Sequence, residues 1–165
     1  MCSSDLIFGT SSQAAHQLQD LLRKVGFQKN YLVATHQKLT RDSGVMDQPI
    51  GKDDPRIHKK KQKVDFEQGL SARTRFRYLG SKENFYYYLV RIYTGRQHQI
   101  RVHFQNAGAY VAHDELYSYE DYSHFAPMHD FSEENLGLHA LRLKFYCPFE
   151  KRLVSFTSFP ERFPF

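Results

Sequence analysis

From Ser12 onward, Ala14, Ala15, Leu18, Leu21, Leu22 and Val25 recur at three- and four-residue steps. That spacing puts them on one helical face, with Ser11 or Ser12 as the cap and Gly26 as the stop. Tyr31 to Thr35 follows as a short strand behind the polar lead Gln28, Lys29, Asn30. The stretch from Gln37 to Lys63, rich in Gly, Pro, Asp and Lys, is expected to be a mobile loop. Ala72, Thr74, Phe76 and Tyr78 then alternate with Arg73, Arg75 and Arg77, so a strand here sends the arginines to one face and the apolar set to the other.

Phe85 to Tyr93 is apolar at nearly every position, the pattern of a central strand covered on both sides, and Ser81 to Asn84 supply the turn before it. Thr94 and Gly95 break the strand, and Ile100, Phe104 and Ala107 resume at helical spacing. Leu141, Leu143 and Phe145 form a further alternating strand, paired as a hairpin with Leu153 to Thr157. The expected fold class is α+β: a mostly antiparallel mixed sheet flanked by helices, in one domain over residues 1–165.

The run from Tyr93 to His103 gathers two arginines, two histidines and two glutamines where this last helix begins. Helix N-termini carry unpaired N–H groups and the positive end of the macrodipole, so the run suits a phosphate or a carboxylate. Spacing alone is equally compatible with a solvated basic helix.

Composition adds a net charge of +5, which fits a nucleic-acid partner without requiring one. The basic run His58 to Lys63, with Lys59, Lys60 and Lys61 at its centre, is a candidate phosphate contact that would add affinity without base readout. From Ala109 to Asn135 there is no Lys or Arg but seven carboxylates, among them Asp114 and Glu115, a stretch expected to repel RNA. Two cysteines, no secretory pattern and no apolar run of membrane length point to an intracellular protein, cytoplasmic or organellar, with no membrane partner. The nine histidines form no metal-ligand spacing, so no metal is expected.

Thr94, Gly95, Arg96, His98, Gln99, Ile100, Arg101 and His103, followed by Gly108, Val111, Asp114 and Tyr117, resemble the signature T-G-R-x-H-Q-[IL]-R-x-H…G-x-x-[IV]-x-x-D-x-x-Y of RluA-like pseudouridine synthases. Pro49 to Gly51, Gly69 to Thr74, Leu138 to Pro148, and Phe156, Ser158, Pro160 and Phe163 are similar to further boxes of that family, in its order. The resemblance implies isomerisation of uridine to pseudouridine in structured ribosomal or transfer RNA, without a cofactor, by a monomer with the pseudouridine synthase catalytic fold. It implies catalytic roles for Arg101, which pairs with the nucleophilic aspartate, and for Tyr31, which stacks on the target uracil. Arg96, His98, Gln99 and His103, with Arg73, Arg75 and Arg77, are then expected to contact RNA.

The nucleophile of that family lies in H-R-L-D-x-x-T-S-G. Matching Cys2-Ser3-Ser4 to T-S-G puts the aspartate two positions before Met1, so the resemblance implies a catalytic domain lacking its N-terminal strands, inactive as this chain. Asp5 is a weak stand-in, at an apolar position of the family's strand. Arg101 is therefore expected to be an orphan charge, hydrated in an opened cleft beside Tyr31 with no carboxylate at its centre. Tyr110 and His113 replace the family's proline and glycine, which puts the backbone at Asp114 in question. The competing reading is an RNA-binding module without catalysis.

Overall fold

The computed structural model describes residues 7–23, 26–53, 61–117 and 136–160. Its first element is helix α1 (Ser12–Arg23). Ser11 Oγ accepts the Ala14 amide at 3.2 Å, and the Gly26 amide closes on the Leu21 carbonyl at 2.9 Å. Both ends are therefore set by the residues expected to set them.

Strand β1 (Phe27–Thr35) is longer than its apolar stretch indicates. It is hydrogen-bonded on both sides, to β6 (Phe85–Ile92) and β7 (Leu138–Cys147), so pairing carries Gln28, Lys29 and Asn30 into the sheet although their side chains are polar. β5 (Thr74–Lys82) pairs with β6, and β8 (Arg152–Thr157) with β7. The turns between these partners use left-handed residues, Glu83 at φ 56° and Lys151 at φ 51°.

The expected loop over 37–63 is instead partly strand. β2 (Ser43–Met46) pairs with β5, while β3 (Ile50–Lys52) and β4 (Gln62–Val64) form a separate hairpin. Each is three or four residues long, too short for a period of two to show in sequence. His58, Lys59 and Lys60 lie outside the described residues.

The main sheet has the order β2-β5-β6-β1-β7-β8, every neighbouring pair antiparallel. One face carries Tyr31, Val33, Phe76, Tyr88, Val90 and Ile92, packed under Ile100 and Phe104 of helix α2 (Gln99–Asn106). Phe104 is fully buried, edge-on to Tyr88 and Phe76, and its burial stabilises the docked helix by about 2–3 kcal/mol. Toward β8, Leu18 and Leu21 of α1 pack on Phe27, Phe145 and Val154.

Candidate active site on helix α2

Helix α2 is fixed to the sheet by its own polar residues. The Gln99 amide uses its whole hydrogen-bonding capacity: Oε1 accepts from the Thr94 hydroxyl at 2.7 Å and the Arg96 amide at 3.0 Å. Its Nε2 donates to the Arg73 carbonyl and to Thr74 Oγ1, each at 3.0 Å. Thr74 meets His103 Nδ1 at 2.8 Å, and His103 Nε2 meets the Gln48 carbonyl at 2.9 Å. A carbonyl only accepts, so Nε2 carries the hydrogen and Nδ1 accepts from the threonine hydroxyl. The chain Gln99, Thr74, His103, Gln48 thus runs in one donor direction through a neutral imidazole, and burial holds the His103 pKa below its ordinary value. Gln99 and His103, expected to meet RNA, are 3% and 0% exposed, with their polar atoms engaged inside the protein. In this geometry they position the helix.

Arg101 lies on the other side of α2. Its Nε donates to Asp114 Oδ2 at 2.7 Å and its Nη2 to Oδ1 at 2.5 Å, a bidentate ion pair. Asp114 Oδ1 also accepts the amides of Leu116 and Tyr117 at 3.1 and 3.0 Å. The Asp114 side chain is wholly buried and that of Arg101 is 16% exposed. The hydrated, orphaned Arg101 of the sequence expectation is thereby corrected: a carboxylate does stand at its guanidinium, supplied by Asp114. His113 adopts φ 54°, so the left-handed turn expected of glycine forms with histidine, at a cost of about 1–2 kcal/mol. Asp5 lies outside the described residues.

Tyr117 completes the cluster. Its ring lies 4.6 Å from the Arg101 guanidinium and 5.5 Å from Lys61 Nζ. Its hydroxyl accepts the Gln62 amide at 2.7 Å and meets His98 Nδ1 at 2.9 Å. Burial pushes the Tyr117 pKa up to about 12, so the phenol keeps its proton in its contact with His98 Nδ1. The His98 pKa is lowered by burial and by the Arg101 charge, with Asp114 opposing. His98 is itself the N-cap of α2, at φ 55° and ψ 21°, without a side-chain cap bond. A non-glycine residue in that conformation stores strain of the kind found at functional sites.

The structure therefore brings Arg101, His98 and Lys61 together and adds Asp114, Tyr117 and Gln62. Arg96 stands apart, its Nε donating to the Ser71 carbonyl at 2.9 Å. Arg73, Arg75 and Arg77 are exposed, and strand alternation turns them away from the face that α2 covers. Tyr31 is on the α2-covered face, 6% exposed, in the same apolar cluster as Ile100. It borders a cavity of about 450 Å³ lined also by Phe8, Lys29, Ala140 and Phe145, a lining that does not include Arg101. Asp114 and Tyr117 close the signature but were given no site role, and Gln62 carried no signal inside its lysine run. Among the described residues no group of His, Cys, Asp and Glu could hold a metal ion, and no helix is long and apolar enough to cross a membrane.

A sequence model described as RNA pseudouridylate synthase matches residues 6–106. The chain is 32% identical over 120 residues to the dual-specificity RNA pseudouridine synthase RluA of Vibrio cholerae, covering 73% of this chain and 45% of that protein. It is 30% identical over 148 residues to the ribosomal large subunit pseudouridine synthase C of Salmonella typhi, covering 88% and 46%. It spans about half the length of these curated relatives. Among solved structures, human RNA Pseudouridylate Synthase Domain Containing 1 shares the fold, with a TM-score of 0.72 over 94% of this chain and 63% of its own, at 19% identity. Human RNA Pseudouridylate Synthase Domain Containing 4 gives a TM-score of 0.67 over 92% of this chain and 65% of its own, at 23% identity. Signature, sheet and relatives agree, and the chain belongs to the RNA pseudouridylate synthase family.

Proposed function

We propose that this chain is an RNA-binding portion of a pseudouridine synthase catalytic domain, acting on uridine in structured ribosomal or transfer RNA, and that its 165 residues alone bind RNA without isomerising it. The observation that carries this reading is the bidentate Arg101–Asp114 pair. Pseudouridine formation breaks the N1–C1′ bond, joins C1′ to C5, expels the C5 hydrogen and protonates N1, with no net oxidation. The resemblance assigns one aspartate to that chemistry and Arg101 to holding it. Here Asp114 occupies the guanidinium, and its wholly buried carboxylate is committed to Arg101 and two backbone amides rather than presented to a nucleotide.

In this reading Tyr31 stacks on the target uracil, and Arg96 and His98 hold the adjoining phosphates at the start of α2. The lysines at 59–61 and the arginines of β5 add affinity that is independent of sequence. The protein acts as an intracellular monomer without a cofactor. The test is binding of a labelled stem-loop RNA by fluorescence anisotropy across a salt series. The log of affinity should fall linearly with the log of salt concentration, and Arg96→Gln should weaken binding. Equal affinity at low and high salt contradicts the proposal.

A further inference from the structure

The sheet has two unlike faces. Tyr31, Phe76, Val90 and Ile92 belong to the core under α2, so the residues between them point the other way. On that second face the register aligns one residue from each of six strands: Val45 opposes Arg75, Arg75 opposes Arg91, Arg91 opposes Asn30, Asn30 opposes Arg142, and Arg142 opposes Thr157. Arg77 and Lys144 flank the row, opposite Leu89 and Gln28. None of these positions holds a carboxylate.

Arg75 and Arg91 are like charges directly opposed on neighbouring strands, an arrangement that destabilises a sheet in isolation. Arg91 and Arg73 lie over the Tyr93 ring at 4.8 and 5.5 Å. The Arg91 Nε is shut off from solvent and has no hydrogen-bond partner among the described residues. None of the ion pairs among those residues involves Arg75, Arg91 or Arg142. Strand spacing separates Arg75 from Arg91 by about 5 Å and Arg91 from Arg142 by about 10 Å. A single small anion reaches only one end of such a row, whereas a chain of phosphates spans it, and guanidinium forks match phosphate geometry.

We propose that this face is a second RNA-contacting surface, formed by Arg75, Arg91 and Arg142 around Asn30. It takes the phosphodiester backbone of an RNA segment remote from the target uridine, on the side of the sheet away from α2. The inference rests on the reading of the chain as an RNA-binding protein, and it assigns Arg91 and Arg142, which the family signature leaves without a role. The contacts are to phosphate, so the surface is indifferent to base sequence.

The test is anisotropy of a labelled stem-loop RNA over a salt series, with the folded state of each variant checked by circular dichroism and thermal melting. Changing Arg75, Arg91 and Arg142 together to Gln should weaken binding about tenfold or more at low salt and make the log–log salt slope shallower by about two. The loss should be the same for a stem-loop of shuffled sequence. The corresponding triple change to Lys should keep most of the slope. Arg142→Gln alone, at an exposed position that folding tolerates, should already make the slope shallower by about 0.7–0.9. Parental affinity and slope in both Gln variants overturn this inference while leaving the proposed function standing. Absence of binding by the unsubstituted chain overturns both.

Discussion

Asp114 accepts four hydrogen bonds, two from the Arg101 guanidinium and two from backbone amides, at a position closed to water. Removing its charge leaves an arginine over the Tyr117 ring with no counter-charge among these contacts. Breaking a buried ion pair from one side typically costs about 3–5 kcal/mol, and the partial exposure of Arg101 places Asp114→Asn near the lower end. Urea unfolding should report that loss, while Arg101→Met combined with Asp114→Leu should recover much of it. Equal stability of Asp114→Asn and the parent contradicts the pair. A second residue-scale expectation concerns His103, whose pKa burial lowers below 6.5 against the opposing Gln48 carbonyl and Asp47 charge. In the unfolded chain the ring takes up a proton near 6.5, while the folded ring resists it. Stability is therefore unaffected by this group at higher pH and is lost as pH falls below about 6.5 toward the folded value. NMR titration of the His103 ring should give a midpoint below 6.5. A midpoint at or above 6.5 would show that the Thr74–His103–Gln48 chain does not hold the ring neutral.

At the scale of elements, the β3–β4 hairpin is set against Gly69. A Cβ there would lie 2.2 Å from the Asp65 carbonyl oxygen and 3.0 Å from the Ile50 amide nitrogen, both backbone atoms that cannot swing aside. Gly69→Ala should destabilise the protein by about 1–3 kcal/mol in the same unfolding assay, and an unchanged midpoint would refute this close approach. This hairpin was also the least legible part of the sequence. Its three-residue strands are held by the Ile50–Leu70 bridge and by backbone bonds such as Asp65 to Pro49, none of which leaves a periodic trace. Helix α1, β5 and the β7–β8 hairpin were legible because each repeats its own period over several turns or pleats, and β6 because its unbroken apolar run suits a strand covered on both faces. The candidate site was legible in part. The signature located Arg101 and His98, but sequence could not show that Asp114, thirteen residues on, would meet the guanidinium. The turn that brings it there depends on His113 accepting a left-handed conformation that glycine adopts more readily.

For the whole molecule, the antiparallel sheet separates two kinds of chemistry. The face under α2 carries the apolar core and Tyr31, and beside the helix lies the Arg101–Asp114–Tyr117–His98 cluster. The opposite face carries the arginines of β5, β6 and β7 in register. Under the proposed function, the arginine face grips RNA broadly and the side under α2 engages one nucleotide. In that proposal these 165 residues bind RNA but do not, on their own, isomerise uridine. Joining C5 to C1′ expels the C5 hydrogen, so release of tritium from RNA labelled at C5 of uridine counts every isomerisation. The purified chain, incubated with such a structured RNA at low salt where it is bound, should release no tritium above the protein-free control. Tritium release above that control would contradict the proposal, and its loss in Asp5→Ala, with folding unchanged by circular dichroism, would show that a carboxylate of this chain serves as the nucleophile.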